Sequence, residues 1–213
     1  MKYGPRIVSD GLTLAIDAAD LLSYPGSGTT WRDLSGSGSN GTLNNGPTFG
    51  TAGNGCIITD GVDDFVQLTS IVSTTSTVDI VYKLLNPGTG WGPLWRSTDW
   101  KERIFPSTIT LINSAGTYYN VGGPDGTTNI IHICYSYSGT NVKSYKNGAL
   151  VNNITMDAAM NTGNFVYRFG NQAGGATNAF INMQLFCVKF YNRQLSDAEV
   201  LQNFNATKGR FSL

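Results

Sequence analysis

This chain of 213 residues has few charged residues. They make up only 13% of it, roughly half the usual share for a soluble domain. Its 14 Lys and Arg balance its 14 Asp and Glu, and neither sign forms a run. Binding to a nucleic-acid backbone needs a concentration of Lys and Arg, so we expect no nucleic-acid partner. No apolar run approaches the roughly 18 residues of a membrane-spanning helix, so we expect no membrane partner either.

The sequence has few cysteines and no recognisable secretion signal. Its opening residues, MKYGPRIVSDG, lack the apolar stretch of a signal peptide. Cys56, Cys134 and Cys187 are widely spaced, and each lies in an apolar segment. This pattern favours buried free thiols, in a protein assembled in a reducing cytoplasm, over a disulfide framework or a metal site.

The usual catalytic residues are scarce as well. The chain has two glutamates, Glu102 in a tryptophan-rich loop and Glu199 near the C-terminus, and a single histidine, His132. Glycoside hydrolysis normally needs a pair of carboxylates flanking the bond, and the sequence has no closely spaced acidic motif of that kind. His132, within IIHICYSYSG, is expected to be a hydrogen-bonded sheet residue. We therefore expect a protein that is not an enzyme.

What the chain does have is strand and turn chemistry. Its 26 glycines cluster with Ser, Asn and Pro between short apolar or alternating segments, a pattern typical of a β-sandwich or barrel. Asn147-Gly148, between two alternating segments, predicts a two-residue type I′ hairpin. The predicted strands are LTLAID, GCIITD, DFVQL, STVDIVYKL, STITLIN, IIHICYSYSG, VKSYK, ALV, FVYRFG and AFINMQLFCVKFYN.

The one exception to this pattern is a short helix at the end of the chain. Ser196 is a good N-cap, and Glu199, three residues later, completes a capping box. Leu195 and Val200 occupy the positions of a hydrophobic staple. Gly209 is a plausible stop for the helix.

Three segments in order resemble laminin-G-like domains of the concanavalin A-like lectin/glucanase superfamily. The opening (11–49, with ITDGVDDFVQL at 58–68), the middle (130–151) and the end (183–211) match that family's pattern. The resemblance implies an all-β fold, a two-sheet antiparallel jelly-roll sandwich with a short C-terminal helix that closes one edge or end.

On this resemblance, residues 1–10 form an N-terminal arm and residues 11–213 a single domain. Whether the arm packs on its own domain or on a neighbour stays open. The glucanases of the superfamily use a Glu-x-Asp-x-Glu motif, and nothing in this chain matches it.

The chain is most similar to stand-alone copies of the domain carried by tailed bacteriophages. The first hypothesis is therefore a non-enzymatic virion protein, a capsid decoration, head fibre or tail component. It would be assembled in the host cytoplasm, exposed on the virion surface, and bound to other virion proteins or to copies of itself. The alternative is a carbohydrate-binding module for host glycans, with calcium as a possible cofactor, and a virion protein of this kind could also adhere to the host surface.

For carbohydrate, the informative stretch is 86–105. A sugar site combines an aromatic plate with fixed polar groups, and this stretch has both; its aromatic residues would equally suit the core or a protein interface. A second, weaker candidate lies at 117–120. The candidate residues are Trp91, Trp95, Arg96, Asp99, Trp100, Tyr118 and Tyr119.

Two loops have the oxygen-bearing side chains that calcium prefers. One provides Asp60, Asp63 and Asp64, and the other provides Asp33 and Asn40. Related domains often hold calcium, so the resemblance makes these residues candidate ligands. The alternative is that Asp and Asn beside glycine form turns by bonding their own backbone.

Overall fold

The computed structural model describes residues 6–68, 71–72, 76–86, 95–97, 102–123, 126–160, 164–171 and 180–213. For residues 71, 72, 95–97, 103, 164 and 165 it describes only the backbone. Every structural statement below concerns these residues. No helix among them is both long and apolar enough to cross a membrane.

The described chain consists mainly of β-strands and ends in a helix. The elements are β1 (Leu12–Asp17), β2 (Thr30–Trp31), β3 (Gly41–Asn44), β4 (Thr48–Gly50), β5 (Cys56–Asp60), β6 (Phe65–Leu68), β7 (Ile71–Val72), β8 (Thr77–Asn86), β9 (Trp95–Ser97), β10 (Glu102–Phe105), β11 (Thr108–Ile112), β12 (Tyr118–Asn120), β13 (Ile130–Ser138), β14 (Asn141–Lys146), β15 (Ala149–Thr155), β16 (Asn164–Phe165), β17 (Tyr167–Phe169), β18 (Asn182–Tyr191) and α1 (Asp197–Phe211). A 3-10 turn, Ala52–Asn54, precedes β5.

Two eight-stranded sheets form the body of the fold. The first has the order β15-β14-β13-β8-β18-β5-β4, with β1 also paired to β18. The second has the order β12-β11-β10-β9-β17-β6-β3-β2. All the pairings within both sheets are antiparallel, and β7 pairs with β16 in a separate two-stranded ribbon. The predicted antiparallel jelly-roll sandwich is confirmed.

The sandwich has one apolar core between its sheets and smaller clusters outside the first sheet. In β13, Ile131 and Ile133 face the main core, while Cys134 lies in an outer cluster with Val200 of α1. Because successive strand residues point to opposite faces, a strand that is apolar on both faces must be covered on both. The first sheet is such a sheet, with the second sheet on one side and α1 on the other.

Helix α1 begins as the sequence predicts. The Ser196 hydroxyl accepts a hydrogen bond from the Glu199 amide (3.3 Å), and the Glu199 carboxylate accepts one from the Ser196 amide (2.9 Å). Leu195 and Val200 pack together in one buried cluster, as the staple requires.

Two expectations for the helix were wrong. It lies across the outer face of the first sheet instead of closing an edge or end, with Val200 and Phe211 in separate clusters on that face. It also continues through Gly209 to Phe211 and stops at Ser212, which adopts the left-handed conformation at φ 55°. Buried Phe211 explains the extension, because apolar contact with the sheet outweighs the low helix propensity of one glycine.

The predicted hairpin is confirmed. Asn147 and Gly148 both have positive φ, at 50° and 77°, and they connect β14 to β15. The strand LTLAID is also confirmed. Simple alternation along it would put Leu12, Leu14 and Ile16 on one face, but the structure separates Leu12 from the other two. A bulge between Leu12 and Leu14 places Leu12 beside the cluster under α1, whereas Leu14 faces the main core, as expected when one extra residue shifts the alternation.

The three cysteines, Cys56, Cys134 and Cys187, are free and buried, as predicted.

Residues 6–10 are the described part of the N-terminal arm. The Val8 amide donates to Asn203 Oδ1 in α1 (2.9 Å), and the Val8 carbonyl accepts from the Tyr191 hydroxyl (3.1 Å). The described part of the arm therefore packs on its own domain.

Candidate functional site

The two sheets differ in what covers their outer faces. Helix α1 lies over the first sheet, whereas no described helix packs on the second. On the outer face of the second sheet, Thr42 and Asn120 are exposed and Gln67 and Thr110 are half-buried. Among the described elements, the second sheet therefore presents the open face of the sandwich.

A single row of polar residues crosses this open face from one edge to the other. The register places one residue of each of the eight strands directly opposite the next. Residues opposite one another in a sheet lie on the same face. In order across the sheet the row is Thr30, Thr42, Gln67, Arg168, Arg96, Arg103, Thr110 and Asn120.

The burial pattern shows which way this row faces. Arg168 is half-buried, whereas Tyr167 and Phe169 on either side of it lie in the core. Gln67 likewise lies between Val66 and Leu68, which are both fully buried. Because strand residues alternate between faces, the row lies on the outer face.

Arg168 is the described side chain at the centre of the row. Its Nε donates to Gln67 Oε1 (2.8 Å), and its guanidinium carbon lies 4.8 Å from the centre of the Phe65 ring. None of the described carboxylates forms an ion pair with it. Burial lowers the pKa of Arg168 from its ordinary value, as expected for a partly desolvated cation. Among the described residues, its two terminal nitrogens have no hydrogen-bond partner.

The candidate tryptophan stretch is only partly described. Trp91, Asp99 and Trp100 lie outside the described residues. Trp95 and Arg96 belong to β9, where Trp95 is opposite Ile104, a core residue, and Arg96 is opposite Arg103. The register thus gives Trp95 a position on the core side of the sheet and Arg96 a position on the open face.

The two candidate tyrosines lie on opposite sides of β12. Tyr118 is 66% exposed and shares the open face with Asn120, two residues along the strand. Tyr119 packs against the main core, and its hydroxyl accepts a hydrogen bond from the Asp157 amide (2.9 Å). Of the pair, Tyr118 is therefore placed to contact a ligand on the open face.

The acidic residues Asp60, Asp63 and Asp64 do come together at the end of β5. A carboxylate oxygen of each lies within 4.8 Å of the others. Asp60 Oδ1 also accepts from the Val62 amide (2.7 Å), which is turn chemistry. Burial, Asp60 and Asp63, in that order of size, raise the pKa of Asp64. Asp60 and Asp64 line an open concavity with Asn182, whose Oδ1 has no partner among the described residues.

Asp33 and Asn40 form a separate turn. Asp33 Oδ1 accepts from the Ala15 and Ser35 amides (2.9 Å each), and its Oδ2 accepts from Ser35 Oγ (2.7 Å). Asn40 Oδ1 accepts from the Asp33 amide (2.9 Å). Burial would raise the pKa of Asp33, but these bonds hold it below its ordinary value.

The two acidic loops lie far apart. Asp60 is opposite Asn182 of β18, and Ala15, whose amide donates to Asp33, is opposite Lys189 of the same strand. The offset of seven residues between Asn182 and Lys189 puts the two acidic loops roughly 20 Å apart at the rise of a β-strand. The five candidate ligands therefore cannot share one ion. Calcium binding by the Asp60 cluster stays a prediction.

The prediction that Glu102 lies in a loop was wrong. Glu102 belongs to β10, is 1% exposed, and its carboxylate accepts hydrogen bonds from the hydroxyls of Tyr135 and Tyr137 (3.0 Å each). Those tyrosines belong to β13 of the opposite sheet. Glu102 thus links the two sheets inside the core, and Glu199 is occupied by the helix cap.

His132 is a buried sheet residue, as predicted, and it belongs to a network that sequence reasoning missed. Asp79 accepts from Lys189 Nζ (2.8 Å), and its Oδ2 is 3.1 Å from His132 Nε2 and 3.1 Å from Asn203 Nδ2. All four side chains are buried between α1, which contains Asn203, and the first sheet. No pattern in the sequence marks Asp79, because an isolated aspartate in an apolar strand shows neither its partner nor its face.

The geometry defines a class of protein, a concanavalin A-like sandwich with one covered and one open sheet. A family model of the Concanavalin A-like lectin/glucanases superfamily, Laminin_G_3, matches residues 60–201. Because that match covers more than half of the chain, the chain belongs to this family. A search of the curated proteins finds no match.

Solved structures share the fold at low sequence identity. Domain 4 of AbnA, an extracellular arabinanase of Geobacillus stearothermophilus in complex with arabinotriose, is 15% identical with a TM-score of 0.70, and the match covers 90% of this chain and 97% of that domain. The binding domain of botulinum neurotoxin serotype D is 12% identical with a TM-score of 0.70, over 92% of this chain.

The binding domain of botulinum neurotoxin DC, in complex with SialylT, is 13% identical with a TM-score of 0.71, over 93% of this chain. This chain spans 52% of each of these two neurotoxin structures. At such identities the similarity shows the fold.

Proposed function

We propose that this chain is a non-catalytic carbohydrate-binding domain that takes its glycan on the open face of the second sheet. The polar row across that face supports the proposal most directly. Sugar recognition needs hydrogen-bonding groups in fixed positions beside an apolar or aromatic surface. The row provides the hydrogen-bonding groups on adjacent strands, and Tyr118 provides exposed aromatic surface on the same side.

The solved relatives support the same proposal. The arabinanase domain binds arabinotriose and a neurotoxin binding domain binds SialylT, so this fold serves glycan recognition in proteins of different activity. The two glutamates of the chain support a non-catalytic role, because one is buried between the sheets and the other caps α1.

The experiment is retention of the purified protein on a panel of immobilised polysaccharides, neutral and anionic. We expect retention on at least one of them and reduced retention for Tyr118→Ala, since stacking of one aromatic ring contributes about 1 kcal/mol or more. Leu201→Ala is the matched control, because Leu201 is exposed on α1, 46% by area, on the other side of the domain. Failure of the intact protein to bind any polysaccharide would refute the proposal.

The phage context is a second, broader proposal. The chain would serve on the surface of a virion assembled in a host cytoplasm, bound to other virion proteins or to copies of itself, with the open face turned to the host. It rests on the sequence resemblance described above. Mass spectrometry of purified virions tests it, and absence of the chain from them would contradict it.

A further inference from the structure

The centre of the polar row has three arginines on adjacent strands. Arg168 is opposite Arg96, and Arg96 is opposite Arg103. Neighbouring strands are about 4.8 Å apart, so the three positions span roughly 10 Å. We propose that this row binds an anionic glycan, one whose sugars carry carboxylate, sulfate or phosphate groups; this rests on the proposed function and specifies its ligand class.

Folding alone does not explain such an arrangement. Like charges directly opposite each other in a sheet are destabilising, and the row contains no acidic residue to offset them. The row as a whole is Thr, Thr, Gln, Arg, Arg, Arg, Thr and Asn. A chain that has only 14 Lys and Arg in all has three of them at successive positions, which indicates that the row is complementary to an anion.

The surroundings of Arg168 show how one of these arginines is prepared for a ligand. Gln67 Oε1 fixes its Nε and the Phe65 ring supports its plane, so less side-chain entropy is lost on binding. No described carboxylate competes for it. The terminal nitrogens of a guanidinium match the two oxygens of a carboxylate, sulfate or phosphate group.

The rest of the row favours a sugar polymer over nucleic acid. On each side of the arginines the row has only hydroxyl and amide side chains, from Thr30, Thr42 and Gln67 on one side and Thr110 and Asn120 on the other. These match sugar hydroxyls. Eight strands at about 4.8 Å spacing give a row of roughly 34 Å, long enough for several sugar units. A nucleic-acid track would need cations along its whole length.

The test compares polysaccharides that differ in charge. The intact protein is measured by biolayer interferometry against polygalacturonate, dextran sulfate and a glycerol teichoic acid, with dextran and arabinan as neutral probes, at low and high salt. We expect tight binding to at least one anionic probe, weakened by salt, and no comparable binding to the neutral ones. The three anionic probes distinguish carboxylate, sulfate and phosphate.

The variants locate the site. Arg96→Gln, Arg103→Gln and Arg168→Gln are each expected to weaken binding about ten-fold, since a charge-assisted hydrogen bond is worth roughly one such factor. The corresponding Lys variants, which keep the charge and lose the forked geometry, should fall in between. The control removes three charges from the side of the domain that α1 covers, at Lys83, Lys143 and Lys208, and should bind as the intact protein does.

Three results would overturn the inference. If neutral and anionic polysaccharides bind equally well, the domain binds glycans but does not prefer anionic ones. Unchanged affinity in all three arginine variants, with their melting temperatures intact, would place the anion elsewhere. Equally tight binding of a single-stranded oligonucleotide would show a general polyanion surface. Failure to bind any polysaccharide would instead refute the proposed function itself.

Discussion

The buried ion pair beneath α1 offers a sharp test of the structure. Asp79 is fully buried and Lys189 is 5% exposed, with 2.8 Å between Asp79 Oδ1 and Lys189 Nζ. Asp79→Asn removes the negative charge and leaves a buried ammonium without its partner. Breaking a buried pair in this way costs about 3–5 kcal/mol. For a chain of this size that lowers the melting temperature by roughly 10 °C.

The measurement is urea unfolding followed by circular dichroism. Lys143→Met is the matched control, because it breaks an ion pair to Asp197 whose side chains are 25% and 56% exposed, and surface pairs of that kind contribute less than about 1 kcal/mol. The double variant Asp79→Leu/Lys189→Met removes both charges together. We expect it to be less destabilised than the sum of its single variants.

The same pair predicts how the stability of the protein changes as the pH falls. Burial would raise the pKa of Asp79, but Lys189 and His132 more than offset it, so the pKa lies below its ordinary value. A depressed carboxyl pKa contributes stability that is fully present above the unfolded value of about 3.9 and is lost as pH falls towards the folded value. The difference between intact protein and Asp79→Asn should therefore be constant near neutral pH and shrink below about pH 4.

Two results would refute this reasoning. One is a cost of Asp79→Asn no larger than that of the surface control. The other is an intact protein and variant whose stabilities run parallel below pH 4, because the carboxyl would then not be the group that titrates.

Two further predictions concern the hairpin and the acidic cluster. Gly148→Ala should destabilise the protein by about 1–3 kcal/mol, because φ is +77° and a Cβ would lie 2.6 Å from Phe204 Cδ1; an unchanged melting temperature would show that the hairpin does not pack on α1. Asp63→Asn should stabilise the protein in EDTA by up to about 1 kcal/mol, since its carboxylate repels those of Asp60 and Asp64. If the cluster binds calcium, added calcium should raise the melting temperature of the intact protein more than that of Asp63→Asn; an equal response would leave these residues as turn formers.

Local chemistry determined much of this fold from the sequence. Asn147-Gly148 predicts its turn because both residues tolerate positive φ, and Ser196 with Glu199 predicts the helix start because a capping box is complete within four residues. Apolar segments around Cys134 and Cys187 predict buried thiols. For the turn and the helix start, the deciding contacts lie within a few residues of one another along the chain.

Local signals failed where distant packing decided. Gly209 is a reasonable stop by propensity, yet Phe211 draws the helix onward because it packs against Phe186 of the first sheet, at 4.9 Å between ring centres. Glu102 reads as a loop residue, yet the hydroxyls of two tyrosines from the opposite sheet hold it inside the core.

The arginine row shows the limit of sequence most clearly. Alternation alone indicates that Arg168 points away from the core, since its neighbours Tyr167 and Phe169 are apolar. It does not indicate that β17 pairs with β9, about seventy residues earlier, or in which register. A neutral composition without a basic run therefore concealed three aligned cations. Residue order determined which face of its strand each arginine position occupies. Only the antiparallel pairing of β17, β9 and β10 decided that the three positions lie opposite one another, because strand partners are chosen by packing across the whole sandwich.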